Sequence, residues 1–347
     1  MCGKNTIKIL TVFLLCCLFL GNSGVHIGGA EKHNDTTGGL SNEQIIQQGI
    51  DYVTSMREST QSSEILLGNL KEWYLDDPNI LYVSCIGASL TVTFIDGSPL
   101  IIFDPFQKKT PACAETLLSF RHDSNNTVVE KTAVLLNAAE DMYGHFQCKL
   151  IISLLLRHDY SIVYRANQAV DVPFLRHNLS ADIVYMNTHA GYFDINGDQQ
   201  ADAVVIATGE NWTNKTEQKY AFEYEHNFIV KGMIGNQAVI AFTPAFIDYY
   251  YSEGDLTDSL IFMATCYAIY DTSMAKPFLA AGASAYMGWS QNTVFWTNSR
   301  ISVSAFRLLS YGLTVQQVCR CIRSGGFYNW LFHSQLLYAG DGSHRIP

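Results

Sequence analysis

Residues 181–191 read Ala181-Asp182-Ile183-Val184-Tyr185-Met186-Asn187-Thr188-His189-Ala190-Gly191. The uncharged apolar run from Ile183 to Met186 is typical of a central strand that is covered on both faces. A histidine and small residues follow it, which predicts a strand end, the position where open α/β sheets have their ligand clefts. The stretch therefore predicts a buried strand that brings His189 to a cleft.

A second run with the same pattern ends in a cysteine: Leu260-Ile261-Phe262-Met263-Ala264-Thr265-Cys266. Further predicted strands are 132–136, 160–164 and 283–287, and predicted helices are 141–158, 276–281, 299–310 and 314–323. Strands separated by such helices imply right-handed crossovers, so the predicted fold class is α/β, a mainly parallel sheet covered by helices on both faces. One edge of that sheet would bring His189 and Cys266 together.

Composition excludes two broad classes of protein. The chain has 347 residues, of which 48% are hydrophobic and 16% charged, a balance that argues against intrinsic disorder. Its formal net charge is -10. Because phosphate binding needs clustered Lys and Arg, which the sequence lacks, the composition argues against a nucleic-acid partner.

The first 30 residues have the pattern of a secretory signal peptide. Lys4 and Lys8 precede an apolar run from Ile9 to Leu20, and small residues follow it. The run is shorter than the ~20 residues that a spanning helix needs, although an uncleaved anchor remains an alternative. We expect a secreted or cell-surface protein with no membrane span after signal removal.

Glycosylation sequons and cysteines agree with an extracytoplasmic location. The sequons begin at Asn34, Asn125, Asn178, Asn211 and Asn214. Any one of them is weak, but together with an export signal they predict a glycoprotein. Beyond the signal the cysteines are Cys85, Cys113, Cys148, Cys266, Cys319 and Cys321, and their pairing cannot be read from the sequence.

Residues 31–124 are predicted to form an N-terminal helical and β-hairpin region. Helices are expected after Ser41 and Ser63, and strands at 81–94 and 100–103 joined across Asp96-Gly97. A removable pro-segment is an alternative interpretation. The polar break at 123–126 is the predicted boundary with a second domain, residues 125–347.

An acidic hairpin separates the two principal strands. Asn196-Gly197 marks the turn of a hairpin within residues 192–206. The oxygen-bearing side chains at alternate spacing are Asp194, Asn196, Asp198 and Asp202. This spacing resembles a calcium loop but lacks the closing bidentate Glu, so a solvated hairpin and a calcium site are both retained.

The two strand ends predict nucleophilic catalysis. A cysteine nucleophile needs a base that generates thiolate and two donors that hold the developing oxyanion. Cys266 is the candidate nucleophile and His189 the candidate base, with the backbone N–H groups of Gly191 and Cys266 as donors. The structural alternative is that Cys266 is a small core residue and His189 a structural side chain.

The residues from 132 to 323 resemble the caspase-like cysteine peptidases, especially the gingipain, clostripain and CHAT branches. The resemblance rests on the order of His189 and Gly191, the hairpin, Ala264-Thr265-Cys266, and then Lys276-Pro277-Phe278-Leu279-Ala280-Ala281-Gly282-Ala283 followed by Tyr286-Met287-Gly288. It implies a caspase-hemoglobinase three-layer fold in residues 125–347, Cys266 as nucleophile and His189 as general acid/base. The family usually has Gly directly after the histidine, so here the Ala190 amide is an alternative oxyanion donor.

The resemblance also implies where a substrate would be recognised. The corresponding loops carry Glu140, Asp141, Tyr192, Trp289 and Ser290. The two acids would favour Arg or Lys before the scissile bond, although Asp141 is equally explained as a favourable charge at a helix start.

Two functional hypotheses follow. The first is a secreted cysteine endopeptidase that forms a thioester acyl-enzyme with peptide or protein substrates and requires no cofactor. The second is a non-catalytic caspase-like module of the cell surface that binds calcium or a protein partner. A catalytic thiol in an oxidising compartment is exposed to disulfide capture, which favours the second.

Overall fold

The computed structural model describes residues 40–57, 63–87, 89–104, 116–120, 130–322 and 333–347. In these ranges the strands form two sheets of seven strands each. The strands are β1 (Ile80–Ile86), β2 (Ser89–Phe94), β3 (Pro99–Asp104), β4 (Thr116–Phe120), β5 (Lys131–Asn137), β6 (Tyr160–Ala166), β7 (Ile183–Asn187), β8 (Ala190–Phe193), β9 (Ala203–Asn211), β10 (Ile229–Ile234), β11 (Gln237–Phe242), β12 (Leu260–Ala264), β13 (Ala285–Trp289) and β14 (Leu336–Gly340).

The described helices are mostly short. They are α1 (Asn42–Arg57), α2 (Ser63–Leu75), α3 (Glu140–Tyr143), α4 (Phe146–Leu156), α5 (Val172–His177), α6 (Asn214–Lys219), α7 (Ala221–Glu225), α8 (Pro244–Tyr250), α9 (Ala275–Ala280), α10 (Phe295–Ser310) and α11 (Val315–Ile322). None of the helices in the described ranges is both long enough and apolar enough to cross a bilayer.

The first sheet is the one predicted from the two principal runs. Its order is β14-β13-β12-β7-β5-β6-β4. The five strands from β13 to β6 are parallel, and β14 and β4 pair antiparallel at the two edges. Every residue of β7 and β12 is buried, as the uncharged runs predicted. The α/β class is therefore confirmed.

Successive side chains of the first sheet point to opposite faces, and each face contributes to a separate hydrophobic core. One face of β7, with Val184 and Met186, packs with residues of α5, α8 and α9 and with the second sheet. The other face, with Ile183 and Tyr185, packs with α4, α10 and α11. Successive side chains point to opposite faces of a strand, so a strand covered on both faces has to be apolar throughout.

The second sheet joins distant parts of the sequence. Its order is β1-β2-β3-β10-β11-β9-β8, and the only parallel pairing within its described strands is between β3 and β10. The helices α1 and α2 pack with β1 and β2 in a core that includes Leu90 and Val92. Residues 40–347 form one compact unit, and the domain boundary predicted near residue 124 stays a prediction. The polar break at 123–126 itself lies outside the described residues.

Several predicted elements have different bounds. The hairpin across Asp96-Gly97 is present as β2 and β3, but the predicted strand 81–94 is two strands, β1 and β2, because the chain turns at Gly87 with φ of +61°. The predicted helix 141–158 is divided into α3 and α4 at Gly144, where φ is +77°. A positive φ is easily adopted by glycine and ends regular structure in both places.

Candidate active site

The carboxyl ends of β7 and β12 hold the two candidate catalytic residues at the same level. In the parallel register, Asn187 lies opposite Ala264. His189 follows Asn187 by two residues, and Cys266 follows Ala264 by two residues. Neighbouring parallel strands run in the same direction. Both residues therefore lie just beyond the carboxyl ends of their strands, at the same end of the sheet. Both residues are half-buried, whereas the strands that carry them are fully buried.

An asparagine network holds these strand ends together. The Asn187 side-chain amide donates to Asn137 Oδ1 at the end of β5 over 2.8 Å. Asn298 of α10 donates to the Ala264 carbonyl over 2.8 Å and to Asn187 Oδ1 over 3.3 Å. The Trp289 indole N–H donates to Asn298 Oδ1 over 2.8 Å. Buried amides satisfied in this way fix the spacing of the strands from which His189 and Cys266 extend.

The Cys266 thiol is contacted by the loop between β13 and α10. It donates to Asn292 Oδ1 over 3.0 Å, and the Thr293 backbone N–H donates to Sγ over 3.3 Å. The Thr293 carbonyl lies 3.5 Å from the same sulfur. The Thr293 N–H is placed to stabilise negative charge on the sulfur, whereas the Asn292 and Thr293 oxygens stabilise the protonated thiol.

The residue after Cys266 has a strained backbone. Tyr267 has φ of +58°, a left-handed conformation that is uncommon for an aromatic residue. Its N–H donates to the Gln291 carbonyl over 3.2 Å, and its ring lies 4.8 Å from that of Tyr192. These contacts hold a sharp turn after Cys266, and strain of this kind is concentrated at functional sites.

His189 is contacted by Tyr143, the last residue of α3. The Tyr143 hydroxyl lies 3.2 Å from His189 Nε2. The His189 carbonyl accepts from the Ala207 N–H over 2.9 Å, which ties the backbone of this residue to β9. The imidazole is thus positioned both through its backbone and through one ring nitrogen.

The β8–β9 ladder distinguishes the two candidate oxyanion donors that follow His189. Ala190 is opposite Ile206, and Gly191 is opposite Val205. Since Ala207 donates to His189, the alternation of an antiparallel ladder directs the Gly191 N–H toward Val205 and the Ala190 N–H away from β9. The predicted role of Gly191 therefore does not fit its pairing, and the Ala190 amide is the better candidate.

Packing explains the glycine at position 191. A Cβ atom there would lie 2.6 Å from the Ser89 hydroxyl oxygen and 3.1 Å from the Phe103 ring. Both neighbours belong to the N-terminal strands β2 and β3. The absence of a side chain thus allows β8 to approach these strands, and access of a substrate is not needed to explain it.

The first predicted specificity residues belong to α3. Glu140 Oε2 accepts from the Tyr164 hydroxyl over 2.9 Å, and its Oε1 lies 3.1 Å from His145 Nδ1. The Asp141 backbone N–H donates to Asn167 Oδ1 over 2.8 Å. The short helix α3, which carries both acids, is therefore anchored beside the carboxyl end of β5.

The other predicted substrate contacts, Tyr192, Trp289 and Ser290, lie in packed or hydrogen-bonded surroundings. Trp289 is completely buried and Tyr192 is 1% exposed, so neither side chain is accessible to a substrate. Ser290 Oγ accepts from the Gln335 N–H over 3.0 Å. The indole belongs to the asparagine network and the phenol packs against Tyr267, and substrate contact by these loops stays a prediction.

The acidic hairpin is present and is hydrogen-bonded internally. Asp194 is fully buried and accepts from the N–H groups of Gly197 and Gln199. Asp202 accepts from Ile195 N–H over 2.6 Å, and Asn196 accepts from Asp198 N–H over 2.9 Å. In the part of the chain that the structure describes, no group of three or more His, Cys, Asp or Glu side chains is arranged for a metal ion. Calcium binding by Asp194, Asn196, Asp198 and Asp202 stays a prediction.

The remaining described cysteines differ sharply in exposure. Cys148 and Cys319 are buried, while Cys85 and Cys321 are exposed, and all of these are free thiols. Burial raises the pKa of Cys148, and it raises that of Cys319 to about 12. Cys113 lies outside the described residues. Because the thiolate is the reactive form of cysteine, the raised pKa values make Cys148 and Cys319 unreactive near neutral pH.

Sequence reasoning missed Tyr143, Asn292 and Thr293. Tyr143 was placed inside a predicted helix, and only Gly144 marks the break that brings it to the strand edge. Asn292 and Thr293 stand in a polar stretch between an apolar strand and a helix, which is a loop signal but carries no chemical signature.

In comparisons with known proteins, the chain matches no family model and no curated sequence.

Proposed function

We propose that this protein is a secreted cysteine endopeptidase of the caspase-like type, with Cys266 as nucleophile and His189 as general acid/base. The observation that carries the proposal is the matched position of the two residues beyond adjacent parallel strands, two residues after the Asn187–Ala264 pair. The strained turn at Tyr267 and the N–H donor from Thr293 add to it. A structural cysteine needs neither feature.

The order of elements supports a caspase-like arrangement. The stretch 276–283, on which the sequence resemblance rests, lies in α9 and the turn before β13, and β13 is the parallel neighbour of β12. Helices cover both faces of the parallel sheet. These features agree with the three-layer fold that the resemblance implies.

The proposed reaction is acyl transfer through a thioester. The Cys266 thiol gives its proton to His189, and the thiolate attacks the carbonyl carbon of the scissile peptide bond. The N–H groups of Ala190 and Cys266 are the donors assigned to the resulting oxyanion. The His189 imidazolium then protonates the departing amine, the C–N bond breaks, and a thioester remains. Water, deprotonated by His189, hydrolyses the thioester and releases the acid product.

The extracellular location rests on the sequence pattern of residues 1–30 and on the sequons. Of the sequons within the described ranges, Asn178 and Asn214 are exposed. Asn211 is partly buried, and its side-chain oxygen accepts from Gln237. We expect N-glycans on Asn178 and Asn214 in secreted material, detected as a mass change after glycosidase treatment.

A peptide-mixture assay tests the proposed activity. The full chain is incubated with a mixture of peptides in which every type of amino acid occurs directly before a peptide bond. The cleavage sites are then mapped by mass spectrometry. Cys266→Ala should lower turnover by about a thousandfold or more, since removing a catalytic nucleophile has effects of this order. Cys321→Ala, which removes an exposed cysteine, should retain activity. Turnover that is equal in the wild type and in Cys266→Ala would contradict the proposal.

A further inference from the structure

One aromatic side chain connects the surroundings of His189 with those of Cys266. Tyr143 places its hydroxyl 3.2 Å from His189 Nε2. Its ring stacks on Phe295, with centroids 4.3 Å apart and planes inclined by 14°. Phe295 is the first residue of α10 and follows the loop whose Asn292 and Thr293 contact the Cys266 sulfur. Tyr143 thus contacts His189 directly and, through Phe295, adjoins the loop that contacts Cys266.

The segment that carries Tyr143 is held in place at several points. The Gly144 carbonyl accepts from the Asn137 side chain over 3.1 Å, immediately after Tyr143. Glu140 and Asp141 are anchored by Tyr164 and Asn167 at the start of the same helix. A hydroxyl on so constrained a segment has a defined direction, which is the requirement for orienting a catalytic imidazole.

We propose that Tyr143 is a positioning residue that holds His189 in the tautomer with its proton on Nε2, leaving Nδ1 to exchange a proton with Cys266. In this arrangement the Nε2–H donates to the Tyr143 oxygen. When the thiol proton moves from Sγ to Nδ1, the imidazolium keeps its Nε2–H bond to Tyr143, which remains protonated throughout. The phenol oxygen therefore orients the ring in the way that the third group of a catalytic triad does, without carrying a charge.

This inference rests on the proposed function, but its main readout does not require turnover. The tautomer of His189 is measured by nitrogen NMR of the full chain labelled at histidine, because protonated and unprotonated ring nitrogens have different shifts. Tyr143→Phe keeps the ring that stacks on Phe295 and removes only the hydroxyl. Tyr311→Phe, at an exposed tyrosine at the end of α10, is the matched control.

In the wild type and in Tyr311→Phe, we expect the Nε2–H tautomer of His189. In Tyr143→Phe we expect a mixture of tautomers and alkylation of Cys266 that is slower by about 10- to 100-fold near neutral pH, the range expected for one hydrogen bond to a charged group. Thermal melting identifies a variant that has not folded, and Tyr143→Trp, which also lacks the phenol oxygen, then serves as the second test of the tautomer.

Two results would overturn the inference: an unchanged tautomer in the folded variant, or a changed tautomer with no effect on the alkylation rate. Failure of the proposed function has a different signature. If wild-type Cys266 were no more reactive than exposed Cys321 and no peptide were cleaved, the peptidase proposal would fail even with the expected tautomer shift.

Discussion

His189 and Cys266 follow the paired residues Asn187 and Ala264 by the same two positions, on strands that are hydrogen-bonded neighbours. The equal offset puts an imidazole and a thiol beyond the carboxyl ends of two strands whose residues are all buried. The surrounding loops then complete the site, with Tyr143 beside the imidazole and the Asn292–Thr293 segment beside the thiol.

The first prediction concerns substrate preference. If Glu140 recognises a basic side chain, Glu140→Gln should reduce the ratio of kcat/KM for an Arg substrate to that for a Leu substrate by about tenfold or more, because a charge-assisted hydrogen bond is lost. Glu253→Gln, at an exposed glutamate, is the control. An unchanged ratio would mean that Glu140 serves only to anchor α3 through Tyr164 and His145.

A second prediction concerns calcium. The calcium interpretation of the acidic hairpin predicts that calcium raises the melting temperature, with about 2.7 kcal/mol of stabilisation at a hundredfold excess over Kd. Asp198→Ala should abolish the rise, because it removes one oxygen ligand. A melting curve that does not respond to millimolar calcium would instead support the solvated hairpin, in which these side chains serve the loop backbone.

The N-terminal strands are expected to be part of the stable fold. Leu90 of β2 is fully buried, so Leu90→Ala should lower the free energy of unfolding by about 2–5 kcal/mol. Leu81→Ala is the control, since Leu81 is 58% exposed and its replacement should change stability by less than about 0.5 kcal/mol. Chemical denaturation measures both. A small effect of Leu90→Ala would favour a removable N-terminal segment.

The pH dependence of cysteine labelling gives a further prediction. Burial raises the pKa of Cys319 to about 12 and that of Cys148 as well, so in the folded state both stay protonated well above neutral pH. Unfolding returns them to ordinary thiols with pKa values near ~8.5. Between these values the thiolates form only in the unfolded chain, and labelling at about pH 9 should therefore require denaturant. Rapid labelling of either thiol in the native protein would contradict this burial.

The sequence was sufficient to predict the parallel sheet because its strands have a strong local signal. Fully buried strands such as β7 and β12 must be uncharged along their whole length, and each ends at a short polar segment. The acidic hairpin was also predicted from Asn196-Gly197, but its strands β8 and β9 are joined by the longer loop 194–202 rather than by a two-residue turn at that position. These features depend on residues that are close together in the chain.

The second sheet and the detailed site depend on contacts between distant residues, which no local pattern contains. The parallel pairing of β3 with β10 joins segments on either side of the first sheet's strands β5 and β7 in the sequence. Trp289 is buried and donates to Asn298, and the Gly191 N–H is directed toward Val205 by the β8–β9 pairing. Tyr143 gained a site position only because the chain breaks at Gly144.

The most direct test of the central claim is the alkylation of Cys266 relative to Cys321 within the same molecule, measured near neutral pH by mass spectrometry of iodoacetamide-labelled peptides. Exposed Cys321 is an internal reference for an accessible thiol outside the candidate site. A catalytic dyad predicts that Cys266 reacts faster than Cys321 in the wild type, and that His189→Ala reduces the ratio of the two rates by about tenfold or more, because the base that generates the thiolate is lost. Equal rates in the wild type, or a ratio that His189→Ala leaves unchanged, would contradict the account.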